Sequence, residues 1–359
     1  MAKIKLTSEQ IAKVERYIAR QMKLMRIPGL AVGIYNRGGI MLAKGYGVGD
    51  LDNKVPVKPK TIFCLASMGK QFVSAAIMIL VEEGKLNLND GLAKYFTGAP
   101  QSWRLIKIKH MLSHTSGLDE YENDSGLADD EANGPKSLFY SQANLSEDEL
   151  VKRTKKMPIK FNPGEKWTYC NTNYMLLGII IHKVTGKFWF DYVKERILRP
   201  LGMNSVRFVY KKDAIKDIPS GYELREDRLK RSVWWSDTFN SAADGAFYCN
   251  VLDLAKWDKA LYGTKLLKKS SLNRMWTVFK LNNGKPNPYN YGFGWFMNSI
   301  NGHRIIGHDG GWQGFSSHIA RYVDDEMTVV VLDNLFSSDA IIIAHEIAGR
   351  LNPSLSLDA

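Results

Sequence analysis

The first apolar positions recur at helical spacing. Ile11, Val14, Ile18, Met22 and Met25 fall three or four apart and form one face of a helix. Thr7 and Gln10 make a capping box in front of it, and Pro28-Gly29 stops it. The pattern then switches. Leu30 to Tyr35 and Ile40 to Tyr46 are β-rich runs, and Asn36-Arg37-Gly38-Gly39 between them is a hairpin signal. A helix is predicted from about Ser67 to Glu83, closed by Gly84. Residues 86 to about 285 read mostly as helices and long loops. Within them Tyr174 to Val184 is an apolar helical run, and the acidic stretch 119–146 reads as a surface insertion. Strand patterns return at Gly292 to Asn298, His303 to Gly307, Gly314 to Tyr322 and Met327 to Leu332, and a last helix covers about Asp339 to Leu351.

Strands at both ends and helices in the middle predict an α/β fold of the α+β kind. One antiparallel sheet is built from both termini and flanked by helices, with a mainly helical lobe inserted. The expected division is a discontinuous sheet domain, residues 1–85 with 286–359, and a helical lobe, residues 86–285. A cleft between two such lobes is a common place for an enzyme site. The stretches 119–146 and 205–240 are expected to shape that cleft, with Trp234 and Trp235 either lining a pocket or packing the lobe interface.

Composition narrows the class. The chain has 359 residues, 45% hydrophobic and 24% charged, enough apolar material for a large core and far from a disordered chain. No apolar run approaches the roughly 20 residues that span a bilayer, so no membrane span is expected. The net charge of +12 reads as a solvated Lys-rich surface. No basic-aromatic module accompanies it, so nucleic acid is not an expected partner; peptidoglycan fragments, as anionic wall material, fit the charge better. Cys64, Cys170 and Cys249 are scattered singly, which argues against a zinc ribbon, a redox pair or a disulfide scaffold. The start MAKIKLTSEQ lacks the apolar core of a signal peptide, so none is expected in this chain; the compartment is either cytoplasmic or, with a leader removed, periplasmic or secreted. No metal or organic cofactor is implied, since the histidines lack metal-ligand spacing.

Chemistry enters at Ser67-Met68-Gly69-Lys70, where Ser67 is the one serine followed three residues later by lysine. Residues i and i+3 share a helix face, so the amine can reach the hydroxyl. Burial lowers a lysine's pKa, and the amine can then help remove the serine proton. A phenol and an amide in Tyr-x-Asn spacing would complete such a site. Three copies occur, Tyr121-Glu122-Asn123, Tyr169-Cys170-Asn171 and Tyr248-Cys249-Asn250. The first lies in the acidic stretch and reads as fortuitous; spacing alone does not choose between the other two. A third component is His308-Asp309-Gly310-Gly311 at the end of a β-rich run. Glycines there let a substrate approach the strand backbone, and the imidazole could bond the phenol or a substrate carboxylate.

These segments, in order, resemble the serine β-lactamase/penicillin-binding protein superfamily, on the side of class C β-lactamases, DD-peptidases, D-aminopeptidases and related esterases. The matching segments are Ala66 to Lys70, Met111 to Leu118, Phe161 to Gly164 leading to Tyr169-Cys170-Asn171, Leu201-Gly202-Met203, and Gly307 to Phe315. The resemblance implies Ser67 as nucleophile, Lys70 as its activating partner, and Tyr169 as general base and then acid. It implies Asn171 as the residue that orients substrate, and backbone N–H groups of Ser67 and Gly311 as the oxyanion hole, with His308 and Gly310 beside them. It casts His114 as structural. The expected activity is acyl transfer to Ser67 from a small-molecule ester or a D-amino-acid-containing peptide, with β-lactam hydrolysis as the alternative and a non-catalytic penicillin- or wall-binding protein as a distant one. Asp309, where such enzymes carry a hydroxyl, places a negative charge near a β-lactam carboxylate unless strand alternation turns it away. Cys170, between two of these residues, is a candidate for thiol sensitivity.

Overall fold

The computed structural model describes residues 5–123, 145–209, 218–232 and 242–357. Most of the 119–146 stretch, parts of 205–240, and Trp234 and Trp235 lie outside the described residues.

Helix α1 spans Ser8–Met25. Its capping box forms as expected: the Thr7 hydroxyl accepts the Gln10 N–H at 3.1 Å, and the Gln10 side chain accepts the Thr7 N–H at 2.9 Å. Strands β1 (Gly29–Asn36) and β2 (Gly39–Asp50) follow. They are joined by Arg37 and Gly38, both at positive φ (48° and 75°), the two-residue turn whose twist suits a hairpin. Short strands β3 (Val55–Pro56) and β4 (Phe63–Cys64) lead to a 3₁₀ turn, Ala66–Gly69, and to α2, Lys70–Glu82. The middle of the chain supplies α3 (Ile108–Leu112), α4 (Glu147–Thr154) and α5 (Asn171–Thr185), the hairpin β5 (Tyr222–Arg225) and β6 (Arg228–Arg231), β7 (Tyr248–Cys249), and the helix Val251–Ala260. Strands β8 (Phe296–Ile300), β9 (His303–Trp312), β10 (Phe315–Tyr322) and β11 (Met327–Asp333) precede the last helix, Ala340–Leu351.

Seven strands form one antiparallel sheet in the order β3-β2-β1-β11-β10-β9-β8, with β4-β7 and β5-β6 as separate pairs. The expected sheet from both termini is therefore present, and β1 against β11 is its seam. Those two strands are apolar on both faces because both faces are covered. Leu30, Val32, Ile34, Val329 and Val331 pack with Val14 and Ile18 of α1 and Ile343, Ala344 and Ile347 of the last helix. Ala31, Tyr35, Val330 and Leu332 pack with the core built around α2 and α5. Helix α2 is buried from Lys70 to Leu80.

Two strand boundaries differ from expectation. Strand β8 begins at Phe296, not near Gly292, because Gly294 sits at φ 77° and a Cβ there would lie 2.5 Å from Ser74 Oγ. Strand β9 does not stop at Gly307. It runs on through His308-Asp309-Gly310-Gly311 to Trp312, paired with β10 as His318↔Asp309, Ser317↔Gly310 and Ser316↔Gly311.

The same register gives a stability expectation. His318 is buried on the face covered by the last helix, with its ring 5.5 Å from that of His345 and both ring nitrogens without hydrogen-bond partners among the described residues. Burial holds its pKa well below 6.5, with His345 and His308 adding to the effect. The unfolded chain therefore binds a proton near pH 6.5 that the folded chain refuses, and stability falls as pH drops below 6.5. Replacing His318 with Leu should help more at pH 5 than at pH 8, by about 2 kcal/mol in unfolding free energy. Urea melts of both proteins at the two pH values measure this difference; equal effects at both would contradict it.

Candidate active site

The residues around Ser67 are held by strain and by close backbone packing. The Leu65 N–H donates to Phe247 O at 2.7 Å, and Ala66 adopts a left-handed φ of 47°. A non-glycine residue in that region costs on the order of 1–3 kcal/mol and persists only where its surroundings enforce it. The chain then makes one 3₁₀ turn and enters α2 at Lys70. The predicted helix over Ser67–Glu83 thus begins as a 3₁₀ turn, but the i,i+3 reach holds.

Lys70 Nζ donates to Ser67 Oγ at 2.9 Å, to Asn171 Oδ1 at 2.8 Å and to Asp244 O at 2.5 Å. Three acceptors match the three protons of an ammonium group. The side chain is fully buried, and burial lowers its pKa; Asp244, Glu122, Glu120 and Asp309 oppose that shift.

Strand β9 meets this turn edge-on. A Cβ on Gly310 would lie 2.1 Å from Leu65 O and 3.0 Å from Met68 N, so only glycine fits. The Ser317 hydroxyl donates to Leu65 O at 2.7 Å and ties β10 to the same carbonyl. Gly311 is thereby brought to the cleft that also holds Ser67. Ala66, Glu122, Asn171, Asp244, Gly245 and Trp312 complete its lining, around an empty volume of about 400 Å³ that is partly open to solvent.

Tyr169 sits beside Lys70, whose Nζ is 5.0 Å from the ring centroid. Its hydroxyl is buried and has no hydrogen-bond partner among the described residues. Burial raises the phenol pKa well above the ordinary value; the Ser67 hydroxyl opposes this, and Asp309, Tyr174 and Asp244 add to it. Neither Tyr169 nor Tyr248, the other copy that spacing left open, lines the cleft itself; Tyr169 is set apart by its contact with Lys70, whereas Tyr248 is buried on β7 opposite Cys64 of β4.

His308 meets a phenol other than the expected one. It is buried, its Nε2 lies 3.0 Å from the Tyr291 hydroxyl, and its Nδ1 lies 2.6 Å from Asp309 O. The phenol it meets is Tyr291, not Tyr169. Burial pushes its pKa down to about 4, against a raising effect of Asp309, so the ring is neutral. The neighbouring Asp309 pairs in register with His318, whose ring meets His345 on the last helix. Strand alternation therefore turns Asp309 to the terminal-helix face, away from the cleft.

Asn171 opens α5 and bonds at both ends of its amide. Its Oδ1 accepts from Lys70, and its Nδ2 donates to Glu122 Oε1 at 3.1 Å. Its backbone N–H donates to Glu120 Oε2 at 2.7 Å. The Tyr121 hydroxyl donates to Asp244 Oδ2 at 2.9 Å. The Tyr121-Glu122-Asn123 segment runs beside the cleft rather than over the surface, and Glu122 lines it. Burial, together with Asp244, pushes Glu120 up to about 7, although the Asn171 N–H and Lys70 oppose it. Burial, Glu120 and Asp244 raise Glu122 well above the carboxylate range. Glu120, Glu122 and Asp244 stand in no motif that the sequence reading singled out for chemistry, and no spacing marks them. Cys170 is not a thiol target, because it is buried, its Sγ faces Leu118 O at 3.4 Å, and burial pushes its pKa far up.

Known proteins share this architecture. A penicillin-binding protein 4* of Bacillus subtilis is 30% identical over 317 residues, which is 83% of this chain and 66% of that protein. The protein flp of Staphylococcus aureus is 31% identical over 93% of this chain and 65% of its own length. The chain thus spans about two thirds of the length of these relatives or slightly less. Among solved structures, an octameric penicillin-binding protein homologue from Pyrococcus abyssi superposes with a TM-score of 0.81 at 29% identity, over 95% of this chain and 77% of that one. A D-amino acid amidase from Ochrobactrum anthropi SV3 superposes with a TM-score of 0.80 at 21% identity, over 97% and 99% of the two chains. Among the described residues no helix is long and apolar enough to cross a membrane. Residues 14–350 match the family described as Beta-lactamase, nearly the whole chain, and the protein belongs to that family.

Proposed function

We propose that this protein is a serine acyl hydrolase that works through an acyl-enzyme on Ser67, with esters or D-amino-acid-containing peptides and amides as substrates. The observation that carries the reading is the 2.9 Å contact of a fully desolvated Lys70 amine with the Ser67 hydroxyl. In its neutral form the amine takes the proton of Ser67 as Oγ bonds to the substrate carbonyl carbon. The developing oxyanion is met by the backbone N–H groups of Ser67 and Gly311. Tyr169, whose buried phenol keeps its proton at neutral pH, is better suited to give that proton to the leaving group than to act first as base. Lys70 then returns a proton to the phenolate. Water cleaves the ester of Ser67 by the same path in reverse, leaving the acid product and a protonated Ser67. Intact mass after brief exposure to p-nitrophenyl acetate tests the reading: an acetyl adduct that maps to Ser67 supports it, and turnover without any Ser67 adduct, even after acid quenching, counts against it.

Glu122 bears on substrate choice. It occupies the donor end of the Asn171 amide inside the cleft, so that amide is a poor partner for an acyl carbonyl of the substrate. Held protonated by its burial in the cleft, Glu122 is ionised by an ammonium group that enters beside it, so this place favours a substrate with a free ammonium group. The fold shared with a D-amino acid amidase and with a D-stereospecific amidohydrolase agrees with this choice. We expect Glu122→Gln to lower kcat/KM for D-alanine p-nitroanilide about tenfold, a difference of about 1.4 kcal/mol, chiefly through KM. N-acetyl-D-alanine p-nitroanilide should be unaffected or improved. Equal losses on both substrates would remove Glu122 from recognition.

Penicillin turnover is disfavoured for a reason other than the one the sequence offered. Asp309 faces away, so its carboxylate does not stand directly against a β-lactam carboxylate, although its charge reaches Lys70 and Tyr169. The strand instead presents a buried, neutral His308 where a cation would be needed to meet a β-lactam carboxylate. Sustained penicillin hydrolysis that is lost in Ser67→Ala would overturn this second point while leaving the acyl-enzyme reading intact.

A further inference from the structure

Ser113-His114-Thr115-Ser116-Gly117-Leu118 has no place in the chemistry above, yet His114 is fully buried against Tyr169. We propose that His114 is a positioning residue for the Tyr169 phenol: it holds the backbone on both sides of Tyr169 and stacks face to face on its ring. This inference rests on the role given to Tyr169 in the proposed function.

Three contacts carry it. The Thr168 N–H donates to His114 O at 3.0 Å, and the Cys170 N–H donates to His114 Nδ1 at 3.1 Å. One residue thus takes both amides that flank Tyr169. The rings lie 4.2 Å apart between centroids with an interplanar angle of 26°. Ring rotation of Tyr169 about its side-chain bonds is opposed by the stack, and translation of its backbone by the two hydrogen bonds. The other faces of His114 are enclosed by Trp167, Tyr174 and Tyr291, at centroid distances of 6.0, 5.2 and 4.9 Å.

The hydrogen bonds also set the tautomer. Nδ1 accepts from Cys170, and the Asn173 side-chain amide lies 3.4 Å from the same atom, so the ring proton resides on Nε2. Nε2 is buried without a hydrogen-bond partner among the described residues. A residue selected only to fill space would be an apolar ring; a buried imidazole with an unpaired N–H is kept for what its other nitrogen holds. Burial keeps the ring neutral, with Lys70 and His308 adding to that effect. The backbone at His114 is left-handed, φ 57°, a region that asparagine tolerates better than most residues.

That last point selects the test. His114→Asn keeps a side-chain acceptor and the backbone conformation but removes the stacked ring. With p-nitrophenyl acetate we expect it to lower kcat about 20-fold with KM little changed. Introduced into Tyr169→Phe, where no hydroxyl is left to position, it should lower kcat less than twofold. The same factor in both backgrounds would mean that His114 acts on general stability, and would overturn the proposal. Retained activity in Ser67→Ala would instead sink the acyl-enzyme reading, so the two failures are distinct. Should His114→Asn not fold, nitrogen NMR of the histidines in the unmodified protein decides: a bare Nδ1 and a protonated Nε2 on His114 at neutral pH are expected, and a protonated Nδ1 would overturn the proposal.

Discussion

Ser67→Ala should abolish turnover of p-nitrophenyl acetate, lowering kcat on the order of 10⁴-fold or more, as loss of a nucleophile does in other serine hydrolases. The substitution removes one oxygen from a half-exposed turn. The chain around it is held by other means, namely the Leu65 amide on Phe247 O and the Ser317 hydroxyl on Leu65 O. The melting temperature should therefore stay within a few degrees of the parent, so that activity and fold separate cleanly. Removing the hydroxyl also leaves Lys70 Nζ with Asn171 Oδ1 and Asp244 O as its remaining acceptors. Full activity of this variant would end the acyl-enzyme mechanism, whatever the substrate.

Tyr169→Phe is the second large effect. General acid–base groups contribute roughly 10²–10⁴-fold, and kcat should fall within that range. The hydroxyl is buried and has no partner among the described residues, so its removal leaves none of them orphaned and the fold should tolerate it. Tyr248→Phe is the matched control. Tyr248 stands in the same Tyr-x-Asn spacing, but whereas Tyr169 lies beside Lys70, Tyr248 is buried on β7 opposite Cys64. Its loss should change kcat less than threefold. A loss below threefold for Tyr169→Phe, with a large loss for Tyr248→Phe, would exchange the roles of the two tyrosines.

The contrast between these tyrosines shows where sequence reading reaches its end. Tyr169-Cys170-Asn171 and Tyr248-Cys249-Asn250 are alike in spacing and in following turn signals, and both precede apolar helices. Only the likeness to a family separated them. In the fold, β7 pairs with β4 and buries Tyr248 among core residues, whereas the turn after Phe161-Asn162-Pro163-Gly164 brings Tyr169 to Lys70. The acidic segment was misread for a related reason. Glu120 and Glu122 look solvated along the chain, because charge alone marks a surface. Packing of the 119–123 segment onto the start of α5 desolvates them.

What the sequence determined by itself was local or periodic. The capping box at Thr7, the turn at Arg37-Gly38, the apolar runs of β1 and β11, and the reach of Lys70 to Ser67 all follow from spacings of a few residues, which covalent geometry translates directly into neighbours. The antiparallel sheet from both termini followed from where those runs fall. Tertiary structure decided the rest. Lys70 is met by acceptors 101 and 174 residues away, and β9 approaches the Ser67 turn only because Gly310 lacks a side chain. The neutrality of His308, the shifted carboxyls and the turned-away Asp309 depend on which faces are buried. Burial and long-range convergence are properties of the packed chain, set by the sum of many weak contacts, and no spacing along the sequence encodes them one by one.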